Sequence, residues 1–370
     1  MSELETLTPA QAEVVRQMQV CNACRYCEGL CAVFPAMELR RAFDGGDADY
    51  LANLCHNCGA CYYDCQYAPP HEFAINVPVA MAALRDETYA RNVWPAAFAG
   101  AFAKHGLWVT FAAAASVALF VAGFVAANAP GALFAPVGGA GGFYRMMPHW
   151  AMAGLFGAVF LYAIAAIGVG VRKFWRGTEA QAVGWAEVWQ ACRDAATLKY
   201  LDGGGMGCMN ASERPETDRR RLYHHFTFYG FALCFAATCL ATVFHELGMQ
   251  APYPLWHPVV ILGALGGIGL VVGPLGLLAQ RAKRDADIQT NTGMGAAFLW
   301  MLCLSGVSGM LLLALRDTPA MGSLLALHLG LVFALFLSFP YGKFVHGFYR
   351  FAALARYAHE RRTRTVEAVD

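Results

Sequence analysis

The sequence predicts an all-α membrane protein in which a small cysteine-rich domain precedes a six-helix transmembrane bundle. Three observations carry that expectation. Of the 370 residues, 58% are hydrophobic and only 14% charged, a balance more apolar than a soluble globular chain shows. Six apolar runs, at about 107–127, 149–171, 222–246, 258–279, 296–315 and 323–348, each come close to the roughly 20 residues that a spanning helix needs. Ahead of the first run, eight of the 13 cysteines fall between Cys21 and Cys65 in two clusters of equal spacing.

The chain divides near Trp94 and Pro95, where composition shifts. Residues 1–92 are polar enough to fold as a separate domain, and 93–370 hold the spans and their connections. The opening MSELETLTPAQAEVVRQ has no basic stretch followed by an apolar core and does not read as a secretory signal. The cysteines are therefore expected in a reducing compartment, where tight repeated spacing means metal ligation rather than disulfides. With a formal net charge of +1 there is no basic surplus to argue for nucleic acid and no acidic excess to argue for a disordered tail.

In the first domain the clusters read Cys21-x2-Cys24-x2-Cys27-x3-Cys31 and Cys55-x2-Cys58-x2-Cys61-x3-Cys65. Three thiolates at this spacing wrap one cubane, and the fourth reaches across to its neighbour, as in a two-[4Fe–4S] ferredoxin-like domain. The expected ligand sets are Cys21, Cys24, Cys27 and Cys65 for one [4Fe–4S] cluster, and Cys55, Cys58, Cys61 and Cys31 for the other. Zinc also takes four thiolates, but its sites usually pair two C-x2-C knuckles. One departure from the ferredoxin pattern is that no proline directly follows either fourth cysteine; Pro35, Pro69 and Pro70 lie further on. His56 and His71 read as loop histidines, since the cysteines already fill the cluster positions.

An even number of spans puts both termini on one side, and the loop charges agree. The inner segments 172–221, 280–295 and 349–370 carry nine, three and five Lys+Arg, whereas the outer loops carry only Arg145 and Arg316. The WAEVWQACRDAATLKYL stretch in the long inner loop has apolar residues at helical spacing, suited to lying against the membrane or a partner. The glycine-rich residues 203–208 lack the strand and the Lys-Ser/Thr of a phosphate loop and read as a turn. Gly and Ser residues interrupt the fifth span, which makes it the candidate for an irregular helix.

Ionisable side chains within spans are costly and default to function, and here they are almost all histidine. His224 and His225 open the third span and His245 closes it; His328 and His346 lie near the two ends of the sixth. By depth, His224 or His225 pairs with His346 on the inner side and His245 with His328 on the outer. On one continuous helix the 18 residues between His328 and His346 would make five turns, so the two would share a face about 27 Å apart. These histidines are therefore candidate ligands of one or two b-type haems in a cytochrome-b-like bundle, with His224 preferred to His225 because it shares a face more nearly with His245. No C-x-x-C-H occurs, which excludes covalent c-type attachment by motif. His149 and His257 read as interface residues or parts of a quinone pocket, and Lys343 as a side chain that snorkels or pairs with a haem propionate.

The segments CNACRYCEGLCAVFPAM, CHNCGACYYDCQYAPPHEFAINVP, YLDGGGMGC, RRLYHHFTFYGF and SFPYGKFVHGFYR together resemble the tricarballylate-utilisation protein B (citrate-utilisation protein B) family, which is also similar to the C-terminal half of a cobalamin-synthesis flavohaem fusion protein. The likeness spans nearly the whole chain. Separately, SFPYGKFVH resembles the segment that carries a haem-ligand histidine in the nitrate reductase gamma subunit, which favours His346 and, through the 18-residue spacing, His328. The resemblance implies a multi-pass protein of the bacterial cytoplasmic membrane, with its iron–sulfur domain and C-terminus on the cytoplasmic side. It implies a soluble FAD-dependent dehydrogenase as partner, oxidising tricarballylate to cis-aconitate, and membrane quinone as acceptor. No G-x-G-x-x-G follows a strand, so flavin and organic substrate are expected on another chain. Rival readings are a partner flavoprotein of other specificity, such as a precorrin-oxidising enzyme, and a membrane-anchored redox sensor. An ion pump is disfavoured, because no Asp, Glu, Lys or Arg lies mid-span.

Overall fold

The computed structural model describes residues 7–128, 131–135, 141–201, 219–249, 251–290 and 293–367, and among them every regular element is helical. The glycine-rich residues 203–208 lie outside the described residues. Thr8 opens α1 (Pro9–Cys24) with a reciprocal cap: its hydroxyl accepts from the Gln11 N–H while the Gln11 side chain accepts from the Thr8 N–H. Arg25, left-handed at φ 56°, ends α1 and turns the chain straight after Cys24. Next come α2 (Val33–Glu38), α3 (Gly45–Leu54), capped by the Asp44 carboxylate, α4 (Ala60–Tyr63), and α5 (Val77–Asn92), capped by Asn76. Their apolar faces meet in a core that includes Met18, Met37, Leu51, Leu54, Met81 and Leu84.

A short α6 (Gly100–Ala103) leads into α7 (His105–Ala127). After α8 (Gly142–Met146) come α9 (His149–Gly177), α10 (Trp185–Ala196), α11 (Arg219–Glu246), α12 (Pro258–Ala282), α13 (Gly293–Ala314), α14 (Met321–Ser338) and α15 (His346–Glu367). Six helical stretches, in α7, α9, α11, α12, α13 and Met321–Tyr341, are long and apolar enough to cross a membrane. They turn large side chains such as Leu107, Phe111, Leu161, Ile164, Leu265 and Leu304 outward, a surface that lipid matches and water does not. The fifth is one continuous helix despite its Gly and Ser residues, and the Ser308 hydroxyl is satisfied by donating to the Ser305 carbonyl at 3.1 Å.

Helix α11 packs along α12, α12 along α13, and α7 along α14. The α11–α12 contact brings backbones together: a Cβ on Gly269 would lie 2.8 Å from the Phe226 carbonyl oxygen, and one on Gly273 2.5 Å from the Thr227 nitrogen. Gly273→Ala is therefore expected to push the helices apart and destabilise the bundle by about 1–3 kcal/mol, read as an earlier thermal unfolding transition in detergent. Gly168→Ala, where a Cβ meets nothing within 4 Å, should leave that transition in place.

The sixth span departs from expectation. In place of one helix over 323–348, α14 stops at Ser338, two 3₁₀ turns (Phe339–Tyr341 and Lys343–Val345) follow, and His346 begins α15. Pro340 contributes no N–H to a helical ladder, and Gly342 adopts an extended conformation. The break sets His328 and His346 on separate helices, so the five-turn spacing between them does not apply.

Past this break, α15 returns to the N-terminal domain. Ala353, Leu354, Ala355 and Tyr357 enter the same core as Met18 and Leu51. Arg40 pairs with Glu360 at 2.6 Å and Asp47 at 2.5 Å, while Arg356 pairs with the same two carboxylates at 2.9 and 3.3 Å. Both guanidiniums lie over the Tyr50 ring, whose hydroxyl donates to Glu360 at 3.0 Å.

Candidate functional site

The eight clustered cysteines line two cavities. Cys21, Cys24, Cys27 and Cys65 face a first cavity, together with Tyr26, Asp64, Gln66 and Tyr67. Cys31, Cys55, Cys58 and Cys61 face a second, lined in part by Tyr200. Phe34 lines both. Three cysteines of one motif and the last of the other thus meet at each cavity.

Local backbone explains this sorting. Cys21 and Cys24 occupy the last turn of α1, and the left-handed Arg25 then redirects the chain toward Cys27. Around Cys58, Asn57 (φ 53°) and Gly59 (φ 97°) are both left-handed, folding the loop sharply before α4 carries Cys61. The Asn57 N–H donates to the Cys55 sulfur at 3.3 Å, and the Gln66 amide donates to Cys24 at 3.7 Å.

The donor set fits a cluster better than a lone ion. Among the described residues, no three His, Cys, Asp or Glu side chains converge closely enough to hold a single metal ion; the sulfurs surround a volume. Burial and the neighbouring thiols push Cys21 and Cys27 up to about 12, and push Cys31 and Cys61 well above the usual thiol range. Four thiolates can stand together here only around a compensating positive core, which an iron–sulfide cubane supplies.

The 55–57 loop is gripped by arginines from four separate elements. Arg85 of α5 and Arg350 of α15 both donate to the Cys55 carbonyl, Arg350 at 2.6 Å. Arg220 of α11 donates to the Asn57 and His56 carbonyls at 2.8 and 3.1 Å, and Arg284, beyond α12, donates to the Asn57 carbonyl and side chain at 3.0 Å. His56 lies in a loop, as expected, but it is buried there and lines the second cavity. Burial, with Arg350, Arg220 and Arg85 nearby, holds its imidazole well below the usual range and therefore neutral. His71 instead packs on Tyr67 and Phe73 and is not among the residues lining either cavity.

One turn along the same helices are two of the candidate histidines. His224 follows Arg220 by four residues on α11, and His346 precedes Arg350 by four on α15. Their ring centroids lie 6.2 Å apart with planes at 72°. His346 turns Nδ1 to the Lys343 carbonyl, which leaves Nε2 for another partner, and the buried Nδ1 of His224 has no hydrogen-bond partner. His225 packs against Tyr229 instead, at 5.8 Å. On the other side of the bundle the rings of His245 and His149 stack at 3.8 Å, with Tyr144 4.7 Å from His245, and His257 stacks on Tyr253 at 4.4 Å. His328 lies over Gly309, with Nδ1 3.0 Å from the Ser308 hydroxyl. The ring contacts described for His245 are with His149 and Tyr144, not with His328.

Sequence reasoning missed the arginine grip. Arg220 was counted only as inner-loop charge, but the four-residue spacings Arg220–His224 and His346–Arg350 were a visible signal that each arginine shares a helix face with a candidate histidine.

Comparison with known proteins gives consistent matches. A family model described as Citrate utilization protein B covers residues 103–367, and one described as Citrate utilization protein B Fer4-like domain covers 14–91. Citrate utilization protein B of Escherichia coli is 53% identical over 365 residues, 97% of this chain and 95% of the relative. No solved structure matches the chain.

Proposed function

The chain belongs to the citrate utilization protein B family and joins an iron–sulfur, Fer4-like domain to six apolar helices of a multi-pass membrane protein, and from that premise we propose that it carries electrons from a soluble FAD-dependent dehydrogenase into the membrane, to quinone. Domain 1–92, completed by α15, is the inlet, and 93–370 hold the membrane path. Both termini face the cytoplasm of a bacterial inner membrane, consistent with the nine, three and five cationic residues of the inner segments against two in the outer loops.

The observation that carries this reading is the adjacency of the second cysteine cavity to the His224–His346 pair. Four residues of α-helix, about 6 Å of rise, separate each histidine from an arginine bonded to the 55–57 loop. Cys21, Cys24, Cys27 and Cys65 would hold one [4Fe–4S] cluster and Cys31, Cys55, Cys58 and Cys61 the other, with Phe34 excluding water between them. His224 and His346, whose rings lie 6.2 Å apart, would hold a b-type haem. His245 and His328 are the candidates for a second haem. Such groups supply one-electron carriage; the chain's residues space them, keep them dry and set their charge environment.

The resemblance to the tricarballylate-utilisation family favours tricarballylate as the partner's substrate. In membranes that contain this chain and its co-purified flavoprotein, tricarballylate should reduce the haem b bands. Reduction by a non-carboxylate donor alone would remove the substrate assignment, and purified protein without haem b bands would remove the membrane half of the path.

A further inference from the structure

Among the described residues, a buried arginine, Arg85, and a half-buried one, Arg350, stand at the second cavity without a carboxylate partner. Arg85 is only 4% exposed, and both it and Arg350 converge on one acceptor, the Cys55 carbonyl. Among the described residues no carboxylate comes within ion-pair distance of either guanidinium, and the Arg350 Nε is buried with no hydrogen-bond partner. Asp86 acts on Arg85 and Lys343 only from beyond that distance. Among the described residues, the neighbourhood therefore holds Arg85, Arg350, Arg220 and Lys343 with Asp86 as the carboxylate that acts on them. Buried cations without counter-charge are expensive, and an anion in contact is what offsets them.

The first cavity has the opposite surroundings. Its lining includes Asp64, and Tyr26 on its rim is 72% exposed. Arg25, the arginine nearest in sequence to these ligands, is exposed and donates to the Asn22 carbonyl, so solvent screens its charge.

Resting on the two-cluster reading above, we propose that Arg85 and Arg350 make the second cavity the electron-accepting end of the pair, holding the reduced, more negative state there at a higher potential than in the first cavity. A thiolate-ligated cubane is anionic and gains one negative charge on reduction. Fixed cations in a low-dielectric interior favour that added charge, whereas Asp64 and solvent at the first cavity supply no such bias. The electron that reduces the second site is the one that leaves the first, so the bias directs flow from the exposed rim toward His224 and His346.

An EPR-monitored redox titration of the full-length protein in detergent, with its clusters reconstituted anaerobically, tests this. Wild type should show two cluster midpoints. Arg350→Gln, and independently Arg85→Gln, should lower only the higher midpoint, by a tenfold or larger change in electron partition, 59 mV for a one-electron couple. Arg350→Lys, which keeps the charge, should restore most of it. Gln66→Glu, beside Cys24, should lower only the other midpoint. The inference is overturned if both arginine variants leave the midpoints in place, lower both equally, or shift only a haem midpoint. A wild-type protein that binds fewer than two clusters would instead overturn the two-cluster reading, and this inference with it.

Discussion

Cys31→Ser is expected to halve the iron content, from about eight to about four atoms per chain for two cubanes, and to take the loss from the second cavity. In sequence Cys31 belongs with Cys21, Cys24 and Cys27, yet it lines the space of Cys55, Cys58 and Cys61. Pairwise substitution separates crossed from local ligation. Cys31→Ser combined with Cys58→Ser should retain about four irons, because both act on one site. Cys31→Ser combined with Cys21→Ser should lose nearly all. Iron assay and EPR read these outcomes, and the reverse pairing would discard the crossed assignment. Electron delivery to the membrane domain should fall at least about 100-fold when the second site is lost, since that site adjoins the His224–His346 pair.

The second large effect concerns that pair. His224→Ala and His346→Ala should each remove the same haem b signal, and the double substitution should remove no more than either alone, because a site that has lost one of its two histidines is already lost. His225→Ala, whose ring lies on Tyr229, should leave haem content unchanged. Haem per chain and reduced-minus-oxidised spectra measure both. Equal loss from His225→Ala and none from His224→Ala would reverse the choice of ligand.

The features legible in the sequence were those written locally. Ligand spacing is a property of a few residues, so the sorting of eight cysteines into two quartets could be anticipated from C-x2-C-x2-C-x3-C alone. Span number follows from uninterrupted apolar length, and the six helices match it. The break after Ser338 was hidden because Phe339, Pro340 and Tyr341 keep the run apolar while Pro340 and Gly342 end its helix; hydropathy and backbone geometry disagree there. Arg85, Arg350 and Arg356 were hidden for a different reason. A charged residue reads as solvent-facing until a distant segment buries it, and what buries Arg350 against Cys55 lies 295 residues away in the chain. Glu360 reads as part of a charged inner tail, yet it is the acceptor that joins Arg40, Tyr50 and Arg356.

The return of α15 to the first domain also sets an order of assembly. The last segment to enter the cysteine domain's core begins at His346, roughly 250 residues after α5 ends at Asn92, with Ala191 of α10 and Tyr200 joining in between. At roughly 5–20 residues per second of synthesis, the domain waits on the order of 10–50 s with one wall of its core missing, while every spanning helix is made. Only chains synthesised past all six apolar helices can offer Ala353, Leu354 and the Arg350 contact to the second cysteine cavity. The core around the eight cysteines is thus completed by the last helix of the chain to be made among those described.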